Sequence, residues 1–310
     1  MEKSVLLAVD GSASSRLATD YLALLEAAVA PELTVTILHV LEAVPPAVQE
    51  AAERGGFGFR RLSDLEARIA AHGQAVLAAA RQGLLDLGLA PERVRVKAQP
   101  RRLGLARDIL FEAEQGGYDA LLVGRRGLSR LQGLILGSVT NKVVQHADRV
   151  PVWVVGSRVE SCRVLCAVDH SEASLKAVDH LAFMLGGNPA CRVTIFHVTP
   201  ERAYLARTHQ EGGELGRLAH DLAAHDQSRM AGFMAQAQAM LREAGLAGDQ
   251  VEMVQCSASS VTLAILDQAR AGGHGTVVLG RRGEGRAFWL GHVCDRVLAN
   301  CDEAAVWVVG

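Results

Sequence analysis

The chain has 310 residues, about twice the length of a common globular domain, so two domains are expected. A composition that is 49% hydrophobic and 21% charged can fill a core and excludes a disordered chain. The 32 basic and 34 acidic side chains divide as 18 and 17 through Gly156 and 14 and 17 after it, so neither half is a polyelectrolyte suited to nucleic acid.

The N-terminus runs straight into Val5-Leu-Leu-Ala-Val9, a strand-like run with no signal-peptide design, and the expected location is the cytoplasm. No apolar stretch approaches the roughly 18 residues of a membrane span. In the first half, further apolar runs follow at 35–40, 94–98, 120–123 and 152–155, separated by stretches with helical spacing such as Leu17, Tyr21, Leu24 and Ala28. Continuous runs without polar alternation suit strands buried on both faces, which implies a parallel sheet covered by helices. Five strands alternating with helices predict a doubly wound α/β domain. Right-handed crossovers then gather the strand-to-helix loops along one edge, where ligands of such sheets bind.

The whole pattern returns in the second half. Ser4-Val-Leu-Leu-Ala-Val-Asp10 recurs as Arg163-Val-Leu-Cys-Ala-Val-Asp169, and Val35-Thr-Ile-Leu-His-Val40 as Val193-Thr-Ile-Phe-His-Val198. Asp119-Ala-Leu-Leu-Val-Gly-Arg-Arg-Gly127 recurs as Gly275-Thr-Val-Val-Leu-Gly-Arg-Arg-Gly283, and Val152-Trp-Val-Val155 as Val306-Trp-Val-Val309. The period is too long for a solenoid, so the chain reads as a tandem duplication with domains at 1–157 and 161–310. All six cysteines lie in the second copy, none in a C-x-x-C pair, and are read as buried reduced thiols.

Two stretches after the second strand of each copy, 43–61 and 199–216, carry Pro and Gly clusters and read as loops over the ligand edge, either lids or passive insertions. The chemistry-bearing candidates lie beyond the fourth strand. Gly124-Arg-Arg-Gly127 is followed by Gly137-Ser138-Val139-Thr140, where an apolar periodic stretch begins. Glycines at a strand end let the backbone take positive φ and approach a ligand, and a Gly-Ser step at a helix start offers free N–H groups to an anion. Gly127 as a plain turn and Ser138 as an N-cap are the alternative. Arg125 and Arg126, like Arg281 and Arg282, reach a phosphate, pair across an interface or remain solvated turn charges. His39 and His197, ending the second strands, read as hydrogen-bonded structural histidines.

The spacing Gly124-x2-Gly127-x9-Gly137-Ser138, with Asp10 and Val40 at the ends of the first two strands, resembles the ATP-binding signature of the universal stress protein family. That resemblance covers nearly the whole chain as two tandem domains. It implies the adenine nucleotide alpha hydrolase-like sheet in the order 3-2-1-4-5 and a bound ATP, with a divalent cation such as Mg²⁺. It implies that Asp10 contacts the adenosine part and the Val40 backbone the adenine, while Gly124, Gly127, Gly137, Ser138, Val139 and Thr140 cradle the phosphates. It further implies pairing of domains through the last strand, and both copies carry an apolar last strand suited to that. The two copies are expected to pair within the chain, as a pseudo-symmetric dimer. A homodimer of chains and an unidentified protein partner are the other expected associations.

The second copy departs from the signature. Only seven residues separate Gly283 from Gly291, His292 replaces Ser138, and Cys294 replaces Thr140. The deletion is expected to shift the helix start by several ångströms, and the second site reads as degenerate. No nucleophile with a base and orienter stands in motif context, so the expected role is a nucleotide-dependent sensor or regulator rather than an enzyme. A slow ATPase or phosphotransferase, and a nucleotide-free scaffold, are the rivals.

Overall fold

The computed structural model describes residues 2–29, 33–53, 57–126, 136–200, 214–282 and 290–310. The chain divides into two compact units at Arg158 and Val159. In the first unit the order is β1 (Lys3–Ala8), α1 (Ala13–Val29), β2 (Leu33–Leu41), α2 (Pro46–Glu53), α3 (Phe57–Asp86), β3 (Val94–Pro100), α4 (Leu105–Gln115), β4 (Ala120–Gly124), α5 (Ser138–His146) and β5 (Val152–Val155). The second runs β6 (Arg163–Val168), α6 (Glu172–Leu185), β7 (Arg192–Pro200), α7 (Glu214–Glu243), β8 (Val251–Ala258), α8 (Val261–Ala271), β9 (Thr276–Gly280), α9 (His292–Asn300) and β10 (Ala305–Val309).

Within the first unit the strands are parallel in the order β3-β2-β1-β4-β5, and within the second β8-β7-β6-β9-β10, so each is a doubly wound 3-2-1-4-5 sheet. The right-handed crossovers of parallel neighbours place α1 and α3 on one face of the first sheet and α4 and α5 on the other. Central strands are buried through their middles: Val5, Leu6, Leu7, Leu121 and Leu122 are sealed from solvent, as are Leu165, Cys166, Val277 and Val278. This dryness is why the sequence shows unbroken apolar runs there. Each last strand carries a fully buried tryptophan with a partner set edge-on from the first helix. Tyr21 packs on Trp153 with ring centroids 6.5 Å apart, and His180 packs on Trp307 at 5.6 Å.

Among the described residues, the proline- and glycine-marked stretch at 43–61 is helical from Pro46 to Glu53 and again from Phe57. Pro46 starts α2, where its missing N–H costs nothing, and α3 begins at Phe57. In the second copy β7 runs to Pro200 and α7 starts at Glu214, which shortens the loop expected at 199–216; residues 201–213 lie outside the described residues. All six cysteines are free thiols, four of them buried. Among the described residues no helix is long and apolar enough to cross a membrane.

Candidate functional site

Register sets Ala8 beside Leu38 on one side and Val123 on the other, so the chain beyond β1, β2 and β4 emerges at one edge of the first sheet. There Asp10, Val40 and Gly124 meet residues 137–140 around a cleft of about 320 Å³. That size is within the ordinary range for small-molecule sites. Seven of the eight residues singled out by sequence line it: Asp10, Val40, Gly124, Gly137, Ser138, Val139 and Thr140. The eighth, Gly127, lies outside the described residues.

Several of them also hold the local structure. Asp10 holds its own turn: its Oδ1 accepts from the Ser12 amide at 2.9 Å and the Ser15 hydroxyl at 2.6 Å, while its amide donates to Ser15 Oγ at 3.0 Å. Gly11, at φ +78°, completes the turn in a conformation that L side chains rarely adopt. Gly124 is not at positive φ. It is required because a Cβ there would lie 2.8 Å from the carbonyl carbon and Cβ of Ser14, at the start of α1. Thr140 is buried, and its hydroxyl donates to Gly124 O at 2.8 Å, tying α5 to the end of β4. A hydroxyl has one proton, so what Thr140 can offer an anion is its main-chain N–H.

Helix α5 supplies the electropositive end of the cleft. Its N-cap is Gly137, not Ser138, and no side chain caps it. The Gly137 amide donates to Arg125 O at 2.9 Å, which sets the start of the helix. The first-turn amides of Ser138, Val139 and Thr140 have no partner within the helix and carry the positive pole of its dipole. Arg126 lines the same cleft and is exposed, whereas Arg125 is buried at 4% exposure, against the expectation of a solvated turn charge. Arg281 is likewise buried and Arg282 exposed.

The opposite end is built by residues that the sequence reading missed. Glu42 follows β2, His72 comes from α3, and Leu105 and Ile109 come from α4. His39 Nδ1 donates to Val9 O at 2.8 Å, and the His72 ring stands edge-on to it with centroids 6.2 Å apart. Because α3 lay in a stretch taken partly for loop, nothing in the sequence placed His72 here. In the first turn of α4, the carboxylate of Asp108 accepts from the amides of Arg102, Leu103 and Gly104 at 2.9, 2.9 and 3.2 Å. Burial pushes this carboxyl up, but the three amides, helped by Arg101, bring it below its ordinary value. It thereby fixes the turn that aims Leu105 into the cleft.

The second unit repeats the frame and changes the contents. Asp169 Oδ1 accepts from Ser171 N at 3.0 Å, from Ser174 Oγ at 2.7 Å and from Ser171 Oγ. His197 Nδ1 donates to Val168 O at 2.9 Å. The expected shift of the helix start does not occur. Gly291 caps α9 at φ −62°, ψ 145°, against φ −62°, ψ 146° for Gly137, and its amide donates to Arg281 O at 2.8 Å. The two-residue deletion is therefore taken up between 282 and 290, outside the described residues. Cys294 stands at the Thr140 position, its thiol pushed up to about 12 by burial and thus neutral. His170 replaces Gly11, and in α7, which matches α3 residue for residue, Met230 replaces Gly73 and Phe233 replaces Val76. A Cβ at Gly73 would meet the side chains of Leu41 and His39, whereas α7 carries a buried Met230 at that position.

The sequence model of the universal stress protein family matches residues 1–156 and again 162–310. The chain belongs to the universal stress protein family. As a tandem universal stress protein it is 28% identical to the universal stress protein YxiE of Bacillus subtilis (strain 168) over 158 residues, half of this chain and 99% of that protein. A universal stress protein from Archaeoglobus fulgidus DSM 4304 shares the fold at a TM-score of 0.60 and 19% identity, over 99% of this chain and 97% of its own. A protein of unknown function, PA1789 from Pseudomonas aeruginosa PAO1, does so at 0.59 and 17%, over 99% and 92%.

Proposed function

We propose that this universal stress protein binds ATP in its first unit and serves as a cytoplasmic, nucleotide-dependent sensor or regulator in the stress response. The observation that carries the reading is the uncapped start of α5, whose amides at 138–140 line the same cleft as Arg126, Asp10 and the end of β2 at Val40. A triphosphate suits the α5 end, by dipole and amides, and the adenosine part suits the apolar stretch by Val9, Leu38 and Ile109 toward Val40. Among the described residues no group of three or more His, Cys, Asp or Glu could hold a metal, so Mg²⁺ would arrive on the phosphates.

The site is read as a binding site rather than a catalytic one. Support comes from the engagement of its candidate bases: Asp10 Oδ1 in its own turn and His39 Nδ1 on Val9 O. The second unit is read as having lost the nucleotide, on the ground of His170, Met230, Phe233 and Cys294 in place of Gly11, Gly73, Val76 and Thr140. The wholly apolar last strands, Val152–Val155 and Ala305–Val309, support the proposal that units pair through them, within a chain or between chains.

The test is the adenine nucleotide content of purified protein, followed by calorimetric titration with Mg-ATP. One nucleotide per chain, lost in Gly137→Val, is expected; φ −62° and ψ 146° are angles that valine adopts, and circular dichroism checks that the variant is folded. Two per chain would refute the loss in the second unit, and none would leave a nucleotide-free scaffold. Mg-dependent turnover well above background would make the protein an ATPase or phosphotransferase.

A further inference from the structure

The free edge of the first sheet carries a surface that the nucleotide reading does not use. Strand β3 pairs with β2 on one side and with no described strand on the other, so alternate main-chain N–H and C=O groups face outward. Charged side chains on such an edge turn away strands of like charge and leave it open to a strand of opposite charge. From Arg93 to Arg107 the sequence has six cations and no carboxylate, within a chain of net charge −2. Lys97 is paired with Glu112 at 2.6 Å, whereas Arg95, Arg102 and Arg107 are exposed and in no ion pair among the described residues. Large apolar side chains are exposed among them: Val96 at 47%, Leu103 at 64% and Phe111 at 59%.

The second unit provides an internal comparison. Matching register pairs Thr36 with Arg95 in the first sheet and Thr194 with Glu252 in the second. Leu263 stands at the helix position of Arg107, and Asp267 at that of Phe111. The same fold position thus inverts its charge on the strand and loses its aromatic on the helix. The second unit keeps an exposed apolar side chain here, Leu263 at 60%, so it is the basic charge of the edge that belongs to the first unit and not to the fold.

We propose that β3 and the outer face of α4 dock an extended acidic segment of a partner protein, added as a strand at the β3 edge. Main-chain bonds to β3 would hold the segment, glutamate or aspartate side chains would meet Arg95, Arg102 and Arg107, and apolar side chains would cover Leu103 and Phe111. An RNA strand could use the cations but would leave both the strand edge and these apolar side chains unsatisfied, which favours a peptide.

The probe is a fluorescent peptide of about twelve residues alternating glutamate with valine and threonine, read by anisotropy at low salt. Saturable binding is expected, weakened at least tenfold in R95E/R107E and, in the same direction, in R95Q/R107Q, with unchanged circular dichroism. A peptide of the same charge with proline at alternate positions, unable to pair as a strand, should bind at least tenfold more weakly. Absence of peptide binding, equal affinity for the proline peptide, insensitivity to the arginine changes, or tighter binding of an RNA oligonucleotide of equal charge would each overturn the proposal.

Discussion

Replacing His180 by tyrosine, the residue that the first copy places on its own tryptophan at Tyr21, should flatten the acid dependence of stability. His180 is buried against Trp307, and burial lowers its pKa from 6.5 to about 3. In the unfolded chain the imidazole titrates normally, so between pH 6.5 and pH 3 the unfolded state binds a proton that the fold refuses. Stability contributed by the neutral ring is therefore full above pH 6.5 and declines as pH falls, by about 1.4 kcal/mol per unit once well below 6.5. At pH 5 the loss from this residue alone is about 2 kcal/mol. Urea unfolding at pH 7.5 and pH 5.0 measures it as a difference of differences: wild type should lose about 2 kcal/mol more than H180Y between the two. Any fixed cost of the larger ring cancels in that comparison. If wild type and H180Y lose stability in parallel, the ring takes up its proton in the folded protein and the burial argument fails.

Asp108→Asn replaces a carboxylate that accepts three main-chain amides by a group that accepts fewer, and should cost roughly 2 kcal/mol at neutral pH. Because the native carboxyl is held below its ordinary value of 3.8, that deficit should shrink as pH falls through the native value, which thermal melts across an acid series would follow. Gly124→Ala puts a Cβ 2.8 Å from Ser14 main chain, and Gly280→Ala puts one 2.8 Å from Ala173; each should destabilise by about 1–3 kcal/mol in chemical denaturation. Equal losses at the two sites would identify this glycine as architectural, whereas an effect on Gly124 confined to ligand affinity would contradict the packing account.

Sequence and structure agree where a single physical signal dominates. Buried parallel strands need unbroken apolar runs, so strand positions and the duplication were legible, and seven of the candidate residues do meet in one cleft. The misreadings come from residues whose type answers to two causes. Gly124 reads as a ligand glycine because packing against Ser14 leaves the same trace as backbone freedom. Pro46 reads as a loop because proline serves both turns and first helical turns. The seven-residue spacing before Gly291 reads as a displaced helix because spacing reports chain length and not the path of the chain between fixed ends. His72 was beyond reach, since its place depends on how a 30-residue helix lies across the sheet.

The Asp10 turn has a consequence for how nucleotide binding is assayed in such duplicated chains. Ser12 and Ser15, and again Ser171 and Ser174, knit the aspartate into the entry of the first helix in both units, with the same donors at nearly the same lengths. An alanine at this aspartate removes the latch of a turn as well as a candidate contact, so lost affinity in that variant reports folding and recognition together. The surviving Asp169 likewise marks a maintained joint, and a motif search that scores the aspartate counts joints as sites.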